Sequence, residues 1–200
     1  MDVERWPTNP ELLHAALAAG FSAIVAAPIR WEGEMVGMLI LATKDASAAE
    51  RVKARFAYFD ELGSFAGSLF GAQAKEFLNR GELRTEVRRV IDEHRYYPVF
   101  QPFVDLVSGQ VVGYEALTRF EDGRSPDVHF IEAHTIGLGS VLESECASAA
   151  IDAARDLDPE VFLSVNFSPV TVLDGHTSAT VAHAHRQIVI EITEHAPVED

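Results

Sequence analysis

The sequence predicts a mixed α/β chain: a small α+β unit, a linker helix, and then strands and helices in the order of a parallel β/α barrel or sheet. Three observations carry this expectation. Strand-like and helix-like hydrophobic periods alternate along the chain. Charge divides it in two: of a net −15 over 200 residues, residues 96–200 hold −13 and residues 1–95 only −2. Polar side chains also recur at the ends of three separate apolar runs, where the strands of a β/α barrel face its active-site mouth.

Composition sets the outer bounds. With 48% hydrophobic and 24% charged residues, the chain has the balance of a globular protein. The longest apolar run, Met35 to Ala42, is too short to span a bilayer, so no membrane segment is expected. Residues 1–20 lack a basic stretch followed by an apolar one, which argues against a secretory signal. The single cysteine, Cys146, has no internal disulfide partner and fits a reducing cytoplasm. The acidic second half repels a DNA or RNA polymer, although divalent cations would reverse the local field for a small phosphate ester.

In chain order, a short helical pattern begins at Pro10, with Leu12, Leu13 and Leu17 on one stripe and Gly20 ending it. Ser22 to Trp31 and Met35 to Thr43, separated by Glu32-Gly33-Glu34, read as a β-hairpin. A helix is expected from Ser47, with Val52, Phe56, Phe59, Leu62, Ala66 and Leu69 at three- and four-residue spacing. Gly63, Gly67 and Gly71 share one face of it, a row that suits close helix approach. Residues 73–95 read as a linker helix whose thin stripe (Phe77, Leu83, Val87, Val90, Ile91) is expected to pair with a second copy, making a homodimer. Arg84, Arg88 and Arg89 are expected on its solvated face.

The hairpin, its Glu32-Gly33 turn and the following helix resemble the C-terminal half of a GAF domain. The resemblance implies a sensory module over residues 1–72. With no cysteine in this part, a thioether-linked chromophore has no attachment point. The plainer reading is a packing and dimerisation unit.

From residue 96 the chemistry changes. Pro98 to Leu106 and Gln110 to Phe120 are two strands joined across Ser108-Gly109, hence an antiparallel hairpin. A short amphipathic piece, Phe130 to Ile136, precedes Ser140-Val141-Leu142-Glu143, a capping-box pattern opening a helix that closes before Asp158-Pro159. Cys146 on that helix's apolar stripe reads as a small core residue. Strands follow at Val161 to Phe167 and Ile188 to Glu194, with a short connection from Thr171 to Gln187.

Alternation puts Glu115, Leu117 and Arg119 on one face of their strand, and Asn166 and Glu191 on the polar faces of theirs. A carboxylate and a guanidinium on the core-facing side are expensive without a ligand. Two carboxylates and a carboxamide form a hard oxygen set suited to Mg2+ or Mn2+. Such an ion activates water and neutralises a phosphoryl group under attack, and Arg119 is suited to a second phosphate. His134, His176, His183, His185 and His195 match no ligand position and are expected on the surface or in loops.

Four motifs in order resemble the EAL domain family: Phe100 to Leu106 with Gln101, Glu115-Ala116-Leu117 within Tyr114 to Arg119, Ser164 to Pro169, and Glu191 to Glu194. The resemblance implies a TIM-like barrel whose first strand is antiparallel, over residues 96–200, and hydrolysis of the bacterial second messenger cyclic di-GMP to linear pGpG. Glu115, Asn166 and Glu191 would be metal ligands, with Glu115 and Glu191 catalytic. Gln101, Leu117 and Arg119 would contact the substrate, and Glu194 would steady a later loop. The family's aspartate pair and the groups after it would lie beyond Asp200, so these 200 residues are expected to form a partial barrel, inactive alone. The alternative is a non-catalytic cyclic di-GMP receptor or an interaction module.

Overall fold

A computed structural model of the chain describes residues 18–193. The expected helix after Pro10, and Glu194 and His195, therefore lie outside the described residues. The chain divides into two compact units at Asn79/Arg80.

In the first unit, β1 (Ala23–Trp31) and β2 (Glu34–Thr43) form the predicted antiparallel hairpin. Glu32 and Gly33 both have positive φ, 48° and 85°, as a two-residue turn needs if its twist is to match the strands. Helix α1 (Ala46–Ala54) is followed by α2 (Phe56–Asp92), one continuous helix of 37 residues. The glycine row has a physical account: it packs on a strand. A Cβ on Gly63 would lie 2.6 Å from the Pro28 carbonyl oxygen, one on Gly67 2.1 Å from that of Arg30, and one on Gly71 2.7 Å from the Trp31 side chain. Small residues let α2 approach β1 to backbone contact.

The second unit starts within α2. It contains β3 (Tyr96–Val104), β4 (Val111–Phe120), α3 (Pro126–Thr135), α4 (Gly139–Ala153), β5 (Phe162–Phe167), α5 (Pro169–Leu173), α6 (His176–Val181) and β6 (Ile188–Ile192). The sheet order is β3-β4-β5-β6, with β3 antiparallel to β4 and the other pairs parallel. The antiparallel first strand is as predicted, but its connection is longer than Ser108-Gly109. The strands stop at Val104 and Val111. Between them Asp105 Oδ1 accepts from the amides of Val107 and Ser108 and from the Ser108 hydroxyl, nucleating the turn.

Alternation along the strands sets the core. Ala116, Leu163, Val165 and Phe167 are buried against Ala147, Ala150 and Ile151 of α4. A second cluster joins Val87 and Val90 of α2 to Tyr96, Phe120, Leu138, Leu142 and Cys146, with Leu83 and Ile91 packed on it. Four of the five stripe residues expected to meet a second copy thus serve the chain's own core, and Phe77 stays 78% exposed. Arg84 is not simply solvated either. It donates to the Ile136 carbonyl at 3.0 Å and Arg80 to that of Thr135 at 3.3 Å, placing cations on the free carbonyls ending α3.

The expected capping box does not form. Helix α4 starts at Gly139, Ser140 lies inside its first turn, and no side chain caps it. Glu143, the would-be capping carboxylate, turns into the core. The reduced helix expected between β5 and β6 is two short ones, α5 and α6.

Candidate active site

The predicted polar residues come together across three parallel strands. In the sheet register Glu115 pairs with Ser164, and Asn166 with Glu191. Asn166 Nδ2 donates to Glu115 Oε1 at 3.1 Å, and Ser164 Oγ donates to Glu191 Oε1 at 2.5 Å. Both carboxylates are half-buried, Ser164 fully so. Gln101 faces Glu115 across the β3–β4 ladder and is exposed.

Arg119, two residues beyond Leu117 on the same face, is half-buried and donates through Nη1 to the Thr118 carbonyl at 2.8 Å. Its other guanidinium groups meet no acceptor among the described residues. A cavity of about 660 Å3 opens beside these strand ends. Leu117, Arg119 and Asn166 line it, with Phe130 and His134 from α3 and Thr193 after β6. Glu115 and Glu191 are not in its lining.

The donor set suits a hard divalent ion in its chemistry. Glu115, Asn166 and Glu191 offer oxygens from adjacent strands, and the bonds described engage one oxygen of each carboxylate. Among the described residues no group of three His, Cys, Asp or Glu side chains is placed to hold a metal ion, and the third member of this set is the carboxamide of Asn166.

Along the cavity wall runs a polar network of His134, Glu143 and Ser168 that the sequence does not announce. Glu143, 7% exposed, accepts from His134 Nε2 at 2.6 Å, from the Ser168 amide at 2.9 Å and from the Ser168 hydroxyl at 3.0 Å. Burial alone raises the Glu143 carboxyl. Hydrogen bonds from His134, Thr171 and the Ser168 amide outweigh that and hold it below the usual carboxylate range. His134 is therefore not the surface or loop residue expected of it: it sits on α3, with its ring tied to a buried carboxylate. His176, His183 and His185 are exposed, as expected.

A second cluster closes the connection from β4 to α3. Arg124 grips both oxygens of Glu132 at 3.0 Å and binds Asp122 at 2.8 Å. His129, 1% exposed, stacks on Phe120 with centroids 3.8 Å apart and bonds to Asp122 Oδ1 at 3.0 Å. The bonds from Arg124 and His129 hold Asp122 far below its usual range. Cys146 is a buried core thiol, as expected, and burial pushes it up to about 12.

The sequence profile of the EAL domain matches residues 84–200. The chain belongs to the EAL domain family. The chain is 33% identical over 104 residues to uncharacterized proteins of Mycobacterium tuberculosis and Mycobacterium bovis, covering 48% of this chain and 34% of theirs. The chain thus spans about a third of the length of the curated relatives it matches. Among solved structures it is similar to the Xanthomonas citri FimX EAL domain in complex with cyclic di-GMP, at 16% identity and TM-score 0.47, over 60% of this chain and 52% of that one. It is also similar to the Klebsiella pneumoniae BlrP1 calcium and cyclic di-GMP complex, at 16% identity and TM-score 0.43, over 96% and 66%.

Reasoning from the sequence singles out the carboxylates, the asparagine and the arginine as candidates but not Ser164. The signal was present. Ser164 and Asn166 are polar at i and i+2 of an otherwise apolar strand, so they share a face. His129 carried no such signal, because its stacking partner is brought to it by the fold of α3 onto the end of β4.

Proposed function

We propose that the protein is a cyclic di-GMP phosphodiesterase that opens one phosphodiester of the ring to give linear pGpG, using Mg2+ or Mn2+. One observation carries the reading: Glu115, Asn166 and Glu191 come from three consecutive parallel strands beside a cavity lined by Arg119 and Leu117, with Asn166 donating to Glu115 and Ser164 to Glu191. Family membership supports the substrate class. A bound divalent ion would supply Lewis acidity to the scissile phosphate and an activated water. Glu115, Asn166 and Glu191 would hold it through oxygen.

The chain's own groups account for the rest. Arg119, with most of its donors uncommitted, binds a phosphate of the substrate. Leu117 packs against the nucleotide backbone, and Gln101 offers an amide beside Glu115. Glu194 steadies a loop that follows. In this reading the first unit, a GAF-like sensory module spanning residues 1–72, regulates turnover through the linker helix of residues 73–95, in a cytoplasmic homodimer of bacterial origin.

The test is chromatography of nucleotide products from the full-length protein with cyclic di-GMP and Mg2+ or Mn2+. Accumulation of pGpG is expected, with Glu115→Ala lowering turnover by at least roughly a hundredfold, since a catalytic metal supplies several kcal/mol. Tight binding of cyclic di-GMP with no pGpG under either metal would instead establish a non-catalytic receptor.

A further inference from the structure

Strand β5 presents two polar side chains to the site, and each reaches away from its nearest neighbour. Ser164 stands opposite Glu115 on one side and Val189 on the other, yet its hydroxyl bonds to Glu191, one pleat further along β6. Asn166 stands opposite Glu191, yet its amide bonds to Glu115, one pleat back along β4. The two carboxylates are thus held by crossed diagonals from one central strand. Each bond takes an Oε1, and neither Oε2 has a protein partner among the described residues.

From this geometry we infer that Ser164 is a positioning residue of the site: its hydroxyl fixes the Glu191 carboxylate so that the other oxygen is presented to the metal. The inference rests on the proposed reading of Glu191 as a ligand. A serine hydroxyl that is 0% exposed must find an acceptor, and the neighbouring backbone groups are committed to the ladder. Glu191 is the acceptor it takes. A glutamate side chain carries substantial rotamer freedom, which a short bond to a rigid strand residue removes. Mg2+ in particular demands near-ideal octahedral geometry, so a carboxylate free to swing binds it less well. Partners of this kind, which orient a ligand without touching the ion, typically contribute 10- to 100-fold in metal affinity.

The experiment compares wild type, Ser164→Ala, Ser164→Cys, Ser164→Thr and Glu191→Gln in the full-length protein. Mn2+ affinity is measured by calorimetry, and the Glu191 carboxyl resonance is followed by carbon-13 NMR in metal-free protein. Expected is a roughly 10- to 100-fold loss of Mn2+ affinity in Ser164→Ala and in the near-isosteric but weakly donating Ser164→Cys. The Glu191 resonance should move in both, with Glu115 unmoved, and Ser164→Thr should restore the affinity because it retains the hydroxyl. An unmoved Glu191 resonance in Ser164→Ala overturns the inference. So does unchanged Mn2+ affinity in Ser164→Ala when Glu191→Gln weakens binding. If Glu191→Gln leaves Mn2+ binding untouched, the metal reading of Glu191 itself fails, and the role assigned to Ser164 falls with it.

Discussion

Replacing Glu143 tests whether the network in the cavity wall holds the second unit together. Glu143 is a buried carboxylate that joins α4 to His134 on α3 and to Ser168 at the end of β5. Glu143→Ala removes the acceptor for three donors, one of them a backbone amide with no other partner described. Breaking a buried, charge-assisted pair by deleting one side costs about 3–5 kcal/mol. For a unit of this size that lowers Tm by roughly 10–20 °C. Glu143→Gln keeps an acceptor but loses the charge, so a smaller loss of about 1–3 kcal/mol is expected.

The pH dependence has a definite sign. Hydrogen bonding holds the folded carboxyl below its unfolded value, so its contribution is fully present above about pH 4.3 and is lost as pH falls through the lowered folded value. Urea unfolding followed by tryptophan-independent far-UV CD, from pH 7 to pH 3, measures both. The gap between wild type and Glu143→Gln should be constant near neutrality and narrow in acid. Glu143→Ala within 1 kcal/mol of wild type, or a gap that widens on acidification, would refute the reasoning.

Three further outcomes follow from packing and burial. Gly67→Ala should destabilise the first unit despite a helix-propensity gain of about 1 kcal/mol, because its Cβ meets the Arg30 carbonyl oxygen, whereas Gly81→Ala, with nothing within 4 Å, should stabilise by about 0.5–1 kcal/mol; thermal melts compare them. Arg186→Ala should cost about 2–3 kcal/mol in chemical denaturation, since this guanidinium donates to the carbonyls of Ala154, Leu157, Asp158 and Val161 along the connection from α4 to β5. Cys146 should resist thiol reagents at pH 8 in the folded protein and react on unfolding, because burial keeps it a thiol.

How much of this was legible in the sequence depends on the range of the interaction involved. Strand alternation is local, so the faces of β4, β5 and β6, and hence Glu115, Arg119, Asn166 and Glu191, could be assigned from spacing. The β1–β2 turn is equally local, because Glu32-Gly33 between two apolar runs leaves the backbone few choices. The capping-box pattern at Ser140 misled because His134 and the Ser168 amide outbid the helix terminus for Glu143. That competition is tertiary, between α3, α4 and the end of β5. The stripe on α2 misled similarly: Leu83, Val87, Val90 and Ile91 have the spacing of a dimer seam, but the chain's own core uses them first. His129 was invisible for the same reason, since its partners Phe120, Asp122 and Arg124 meet it only once α3 has folded back.

The central claim is that Glu115, Asn166 and Glu191 together hold a divalent ion for phosphodiester hydrolysis. The most direct measurement is a crystal of the full-length protein grown with Mn2+ and cyclic di-GMP, with diffraction recorded at the manganese absorption edge. An anomalous peak bonded to oxygens of all three residues, with a phosphate beside Arg119, is the predicted result. Nucleotide bound in the cavity with no metal peak at those three residues, or a peak coordinated elsewhere, would contradict it.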